Sequence, residues 1–294
     1  MAFAKGNEST EGAQVKRYIG LASVYVKGVN LSLEEIDKFY GREPDPERTM
    51  KPYTSEENGV KKVRIDFFVE ADPKSTLHPN VEFKSKVTFF LTNQTRLNKD
   101  GSKKQIIDKY GRTAWATQAE IDAKQIPMYA NGPANISPDY VECHEGEEEL
   151  IKFLIAYLAI DPIQKYVDGK WVMISNDPEF LKDREASLEH FDDLFKGNFN
   201  ELRDIVNYRP LNKVKVLFGI SKDKNGVMYQ NAFTRMFLKN RATTYSSLEK
   251  NLNEAKLSGA YPTTDFSTAP LHEYVVEETI FEKPAEDQKT PWDN

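Results

Sequence analysis

Apolar and polar residues alternate along four stretches of the chain, and a period of two marks each as a β-strand with one wet face. In residues 60–70, Val63, Ile65, Phe67 and Val69 point one way and Arg64, Asp66, Phe68 and Glu70 the other. Residues 81–92 repeat the pattern. Phe83, Val87, Phe89 and Leu91 form the core side, while Lys84, Lys86, Thr88, Phe90 and Thr92 form a polar side that carries an aromatic ring. Residues 213–220 turn Val214, Val216, Phe218 and Ile220 inward. After a Gly-containing turn at 223–226, the stretch 229–239 returns with Tyr229, Phe233, Arg235, Phe237 and Lys239 on one face. Further strands are expected at 16–27, at 104–115 behind the Asp100-Gly101 turn, and at 274–281. Residues 60–117 then read as an antiparallel meander.

The period changes to that of a helix at a few places. Ser32 followed by Glu35 is a capping box opening a helix over 32–39. Residues 147–159 place three glutamates ahead of an apolar body, as the helix dipole favours. Helices are also expected at 200–208, which stops before Pro210, and at 246–257. Residues 161–200 read as loop and short helix, with Phe180, Leu188, Phe191 and Leu194 at helical spacing. The spacing predicts an α+β fold that is mainly antiparallel β: an OB-type barrel elaborated by inserted helices. It divides into a loose arm at 1–13, one OB-like domain at 14–270 with a helical insertion at about 140–208, and an acidic C-terminal tail at 271–294.

Composition narrows the class. The 294 residues are 39% hydrophobic and 29% charged, enough to bury a sizeable core. No run reaches the roughly 20 apolar residues of a membrane helix, and the first residues hold no apolar stretch of signal-peptide type. The reading therefore expects a protein without a membrane, located in the cytoplasm. One cysteine, Cys143, excludes an internal disulfide framework. With only four histidines, a Cys/His zinc site is not expected, and no metal or cofactor is.

The net charge of -6 is unevenly spread. Residues 81–115 carry eight Lys or Arg against three acids, and residues 203–241 carry nine against two. Residues 139–150 hold six acids and no base, and the terminal stretch 271–294 holds seven acids against Lys283 and Lys289. Basic blocks in an acidic chain are a footprint for a polyanion, although a single block can equally be a solvated face.

Motifs for catalysis are sparse. No phosphate-binding glycine loop, HExxH or GxSxG is present. Cys143 beside His144 sits among acids that raise a thiol pKa, so the adjacency reads as incidental. One enzyme-like pattern remains: Glu82-Phe83-Lys84 with Asp66 or Asp72 ahead of it resembles the magnesium-holding PD-(D/E)xK arrangement.

Aromatic residues interleaved with Lys and Arg on polar strand faces point instead to single-stranded nucleic acid. Bases stack on rings, and cations neutralise phosphates. Candidates in the first block are Lys84, Lys86, Phe90, Lys103, Lys104, Lys109, Tyr110, Arg112 and Trp115. The second block adds Lys213, Lys215, Tyr229, Phe233, Arg235, Phe237 and Lys239. Phe233 and Phe237 fill the core instead if their strand is buried on that face, and Trp115 covers a barrel end as readily as it stacks a base. The tail, with Glu286, Asp287, Trp292 and Asp293, suits a partner-binding segment that competes for a basic groove. DNA and RNA are not distinguished by any motif.

The segments IDKYGRTAWAT and FFLTNQTRLNKDGSKKQ, the second basic strand pair and the acidic PWDN tip together resemble the single-stranded DNA-binding proteins of tailed, crAss-like bacteriophages. The resemblance implies an OB-type core that coats exposed strands during phage replication or recombination. It also implies tail contacts with replication or recombination proteins, and residence in the host cytoplasm. Phage proteins of this type often hold a structural zinc, and the ligand set is missing here, so a metal-free version is implied. Two other classes stand beside it: a phage structural or packaged accessory protein, and the magnesium-dependent nuclease.

Overall fold

The computed structural model describes residues 15–72, 83–107, 113–123, 141–159, 162–167, 170–175, 192–224, 226–266 and 275–279. The arm at 1–13, Glu82, Lys109, Tyr110, Arg112, Phe180, Leu188, Phe191, Glu286, Asp287, Trp292 and Asp293 lie outside the described residues.

Five strands make the spine of one large sheet: β1 (Val15–Val29), β3 (Val60–Ala71), β4 (Lys84–Thr92), β10 (Lys213–Lys222) and β11 (Met228–Ala232). Their spatial order is β4–β3–β1–β10–β11, every neighbour antiparallel. Four short strands extend it: β2 (Thr54–Glu57) beside β3, β12 (Leu238–Lys239) and β13 (Thr264–Asp265) beside β10, and β14 (Val275–Thr279) beside β1. The sheet curls until β11 lies against β4, yet no hydrogen-bonded ladder joins them among the described residues. The fold is thus mixed α+β, dominated by antiparallel sheet, without a closed barrel among the described residues. No helix among them is long and apolar enough to cross a membrane.

The alternating residues line the inside of this curl. Ile65, Phe67, Val87, Phe89, Val214, Val216 and Phe218 are all buried there. The middle of the curl is filled by α3 (Glu147–Tyr157), whose Phe153 ring sits 4.6 Å from Phe67, 5.5 Å from Phe89 and 5.1 Å from Phe237. Such clusters of offset and edge-on rings add to the area they bury. Below them the Tyr157 hydroxyl donates toward the carbonyls of Val206 and Arg209, fixing α4 (Asn200–Tyr208). Burial pushes that phenol's pKa up to about 12.

β1 is long because it changes partners. Its first residues pair with β14, and its remainder with β10 and β3. Gly20, at φ 127°, sits at the change. There the Gln230 side chain replaces a strand, accepting from the Tyr18 N–H at 2.8 Å and donating to the Tyr18 carbonyl at 2.7 Å. At the other end, Asn30 bridges the gap between β1 and β2, with its side chain bonded to the Arg64 carbonyl and the Asp66 N–H.

Several expectations need correction. The chain over 104–115 does not return along β4. It forms β5 (Lys104–Ile107) and β6 (Thr113–Ala116), which join β7 (Val141–Glu142) in a separate three-stranded sheet, so 60–117 is not one meander. The stretch 229–239 is not one strand either, since β11 and β12 are separated by irregular residues 233–237. Within residues 161–200, expected as loop and short helix, β8 (Pro162–Val167) pairs antiparallel with β9 (Lys170–Ser175). β3 and β10 are buried on both faces over much of their length rather than half-buried. The capping box stands as expected, opening α1 (Leu33–Tyr40). Two further helices among the described residues are α2 (Gln118–Asp122) and α5 (Ser246–Leu257).

Candidate nucleic-acid interface

The outer face of β3 and β4 is built by register. Across the pair Arg64 faces Phe90, Asp66 faces Thr88, Phe68 faces Lys86 and Glu70 faces Lys84. Half of this face is roofed by α1, whose Phe39 and Tyr40 rings stand 5.5 and 6.4 Å from Phe68. That cover is why Phe68, on the nominally wet side, is buried.

Asp66 anchors the middle of the face at 1% exposure. It accepts from the Thr88 hydroxyl at 2.7 Å and from Lys86 Nζ at 3.1 Å. Arg64 Nε stands 3.2 Å away as an ion pair, off the alignment of a hydrogen bond. The Arg64 guanidinium also lies 4.9 Å over the Tyr53 ring. Lys84 donates to the Phe39 carbonyl at 2.8 Å and sits 5.4 Å over that ring. Lys27 pairs with Glu70, and Lys62 with Glu57. Five cations thus share this face with four carboxylates, counting Glu145, which accepts from the Thr92 hydroxyl at its end, and Lys84 and Lys86 remain exposed. Beside them Phe90 is 56% exposed, a large apolar ring opposite Arg64, with Arg96, Arg235, Glu145 and Glu149 around the cleft it borders.

At the edge of β4 the face drops into a cleft of about 400 Å³ between Phe90, Arg96 and the α3 N-terminus on one side and Thr234, Arg235 and Tyr261 on the other. Phe90 and Arg235, drawn from separate basic blocks, meet there. Arg64, Tyr53 and Arg96 were missed as site residues. Alternation had already put Arg64 on the face of Asp66, but its place opposite Phe90 depends on register, and nothing local marks Tyr53.

The other candidates disperse. Lys104 is held by Glu142 at 2.6 Å, and Lys103 is half-buried at the Asn98–Lys103 turn. Trp115 is partly exposed on β6, opposite Gln105, in the second sheet. Lys213 pairs with Asp72 at 2.6 Å, a hydrogen bond that raises its pKa.

Lys215 is corrected to a structural residue. It is 9% exposed, and its ammonium donates to the Ala242 carbonyl and the Tyr245 hydroxyl because β10 is covered on both faces. Phe233 and Phe237 are core. Phe233 packs on Tyr261 and Phe266, and Phe237 on Phe153 and Phe89, since irregular backbone at 233–237 turns both rings inward. Tyr229 is half-buried, with its hydroxyl donating to Asp223. Lys239 is half-buried too, and desolvation lowers its pKa. The two basic blocks therefore do not form one continuous stripe.

Of the magnesium-site candidates, Asp66 and Asp72 are each engaged by basic side chains. No cluster of His, Cys, Asp and Glu fit for a metal occurs among the described residues. Cys143 is fully buried, and burial with the nearby glutamates pushes its thiol up. His144 bonds Glu147 at 3.1 Å, which raises the imidazole pKa. No protein-family model, curated protein or solved structure matches this chain.

Proposed function

We propose that the protein binds single-stranded DNA, without catalysis and with tolerance of sequence, across the outer face of β3 and β4. The observation that carries the reading is the exposed Phe90 ring, in register with Arg64, on a face where five cations meet four carboxylates. A ring and solvated cations on one strand pair can stack a base and neutralise its phosphates together. Strand order supports the same reading by analogy of fold. Numbered along the chain, the five spine strands run 3–2–1–4–5, with the ends in contact. That is the circular order of an OB-type barrel, which binds oligonucleotides on the face of its second and third strands, here β3 and β4. The resemblance of the sequence to phage single-stranded DNA-binding proteins extends the proposal to coating exposed strands during phage replication or recombination, with the acidic tail as the docking segment for partner proteins.

The test is a fluorescence-anisotropy titration of labelled oligo-dT and a matched duplex at two salt concentrations, with and without magnesium. Salt-sensitive, single-strand-selective binding with no cleavage is expected. Equal affinity for duplex moves the reading to a structural protein, and magnesium-dependent loss of signal moves it to a nuclease. Phe90→Ala should weaken oligo-dT binding by about 1–3 kcal/mol at unchanged melting temperature. Lys84→Ala should lower affinity for all sequences alike and flatten the salt slope by about 0.7. An unchanged slope removes Lys84 from the interface.

The tail is tested by truncation, and the fold moves the cut. β14 pairs with β1, with Glu277 opposite Arg17 and Glu278 opposite Lys16 in register. Removal of 271–294 would strip a strand from the sheet, so the deletion should begin at residue 280. If the tail competes for the groove, this truncation tightens oligonucleotide binding at low salt. Equal or weaker binding counts against competition.

A further inference from the structure

The cleft beside β4 has walls of unlike chemistry. At its rim stands Phe90, 56% exposed. Across from it Arg235 is half-buried, with one guanidinium nitrogen 3.4 Å from Ser258 Oγ. The third wall is acidic: Glu145, whose carboxylate already accepts from the Thr92 hydroxyl, and Glu149, from the first turn of α3. Glu149 Oε1 stands 3.9 Å from Arg96 Nη1, but that nitrogen is closer to Glu148 Oε2, at 3.3 Å. Glu149 Oε2 is buried with no hydrogen-bond partner among the described residues. The cleft thus holds a carboxylate short of donors, and its broad two-fold terminal torsion lets either oxygen turn to a new one.

The cleft volume of about 400 Å³ lies within the range of about 300–1,000 Å³ seen for small-molecule sites. Each wall selects a part of one nucleotide. An aromatic ring takes the face of a base, a guanidinium takes a phosphate, and a carboxylate accepts from an exocyclic amino group such as cytosine N4. A carbonyl at the same ring position would set oxygen against oxygen.

We infer that this cleft holds one base of the bound strand and prefers a base presenting an amino group, with Glu149 as the specificity-determining acceptor. The inference rests on the single-strand reading of the β3–β4 face. It makes binding tolerant of sequence along that face and selective at one position.

Labelled oligo-dC and oligo-dU of equal length test it, because the two bases exchange amino for carbonyl at the pyrimidine 4-position. Titrated in parallel, the full-length protein should bind oligo-dC at least about fivefold more tightly. In Glu149→Gln, whose amide presents a donor as well as an acceptor, that ratio should fall to near one. Arg235→Ala should weaken both oligomers several-fold and leave the ratio standing. Circular dichroism melts establish that each variant is folded. Should Glu149→Gln fail to fold, Glu149→Asp, which withdraws the carboxylate by one methylene, takes its place and should shrink the ratio. Equal wild-type affinity for the two oligomers, or a ratio insensitive to the Glu149 change, overturns the inference and leaves the single-strand reading in place. Absence of binding to either oligomer at low salt overturns both.

Discussion

Asp66→Ala is expected to destabilise the protein by about 3–5 kcal/mol, the range for removing one partner of a buried ion pair. Asp66 is 1% exposed, and its carboxylate accepts from Lys86 and Thr88 and pairs in charge with Arg64. Its loss leaves Arg64 Nε, already buried without an aligned hydrogen bond, without the Asp66 charge, while the guanidinium keeps the Tyr53 ring and the Lys51 carbonyl. Lys86 is nearly half exposed and can turn to water, so the cost falls chiefly on the Arg64 side. The double change Asp66→Ala with Arg64→Leu should therefore recover a large part of the stability, because it removes the stranded charge together with its partner. Urea unfolding of the single and double variants measures this. If the double variant is no more stable than Asp66→Ala alone, Asp66 does not act by neutralising Arg64. The same carboxylate lowers the positive charge of the outer face of β3 and β4, so under the proposed single-strand reading the face would give up some binding strength to be buildable at all.

How much of this was legible in the sequence depends on the range of the interaction concerned. The cores of β3, β4 and β10 could be read because alternation is a local pattern, and α1 because Ser32 and Glu35 lie within one turn. The matching capping box of Thr117 and Glu120 at α2 carried the same local signal and went unread. Pairing is different in kind. Nothing between residues 92 and 116 says that β5 will turn to β6 and β7 instead of following β4.

Burial of the second face is likewise non-local. Lys215 looked like a solvated cation in an alternating strand, yet its partners, Ala242 and Tyr245, arrive from the far end of another segment. Half of the candidate site was visible for this reason. Lys84, Lys86 and Phe90 share a strand and its parity, whereas Arg64, Tyr53 and Arg96 reach the site through register and loop closure. Phe233 and Phe237 failed in the opposite direction. Their spacing was that of a strand face, but the strand ends at Ala232.

The contact that joins the helix to the sheet gives the second large effect. Gly146, the residue before α3, has φ 83°, in the left-handed region that favours glycine. A Cβ placed there would lie 2.1 Å from the Phe90 carbonyl oxygen and 3.0 Å from its carbon. Both are backbone atoms of a paired strand, so neither can yield cheaply. Gly146→Ala should cost about 1–3 kcal/mol for its conformation and about 1–3 kcal/mol more for the overpacking. Gly41→Ala separates the two contributions. Gly41 caps α1 at φ 66° with nothing within 4 Å of its added Cβ, so it carries the conformational cost alone. Thermal melts of the two variants should differ by the cost of the close approach, with Gly146→Ala the less stable. Equal destabilisation would mean that α3 is not seated against β4 by this contact.

The consequence reaches the candidate interface, because the same contact sets one wall of the cleft against Phe90. A helix pushed off β4 by a methyl group moves Glu149 away from the ring. Gly146→Ala, assayed below its melting transition, should therefore bind oligo-dC more weakly while keeping the salt dependence set by Lys84 and Lys86. Unaltered affinity in a folded Gly146→Ala protein would separate the helix from binding and leave the outer face of β3 and β4 to act without the cleft.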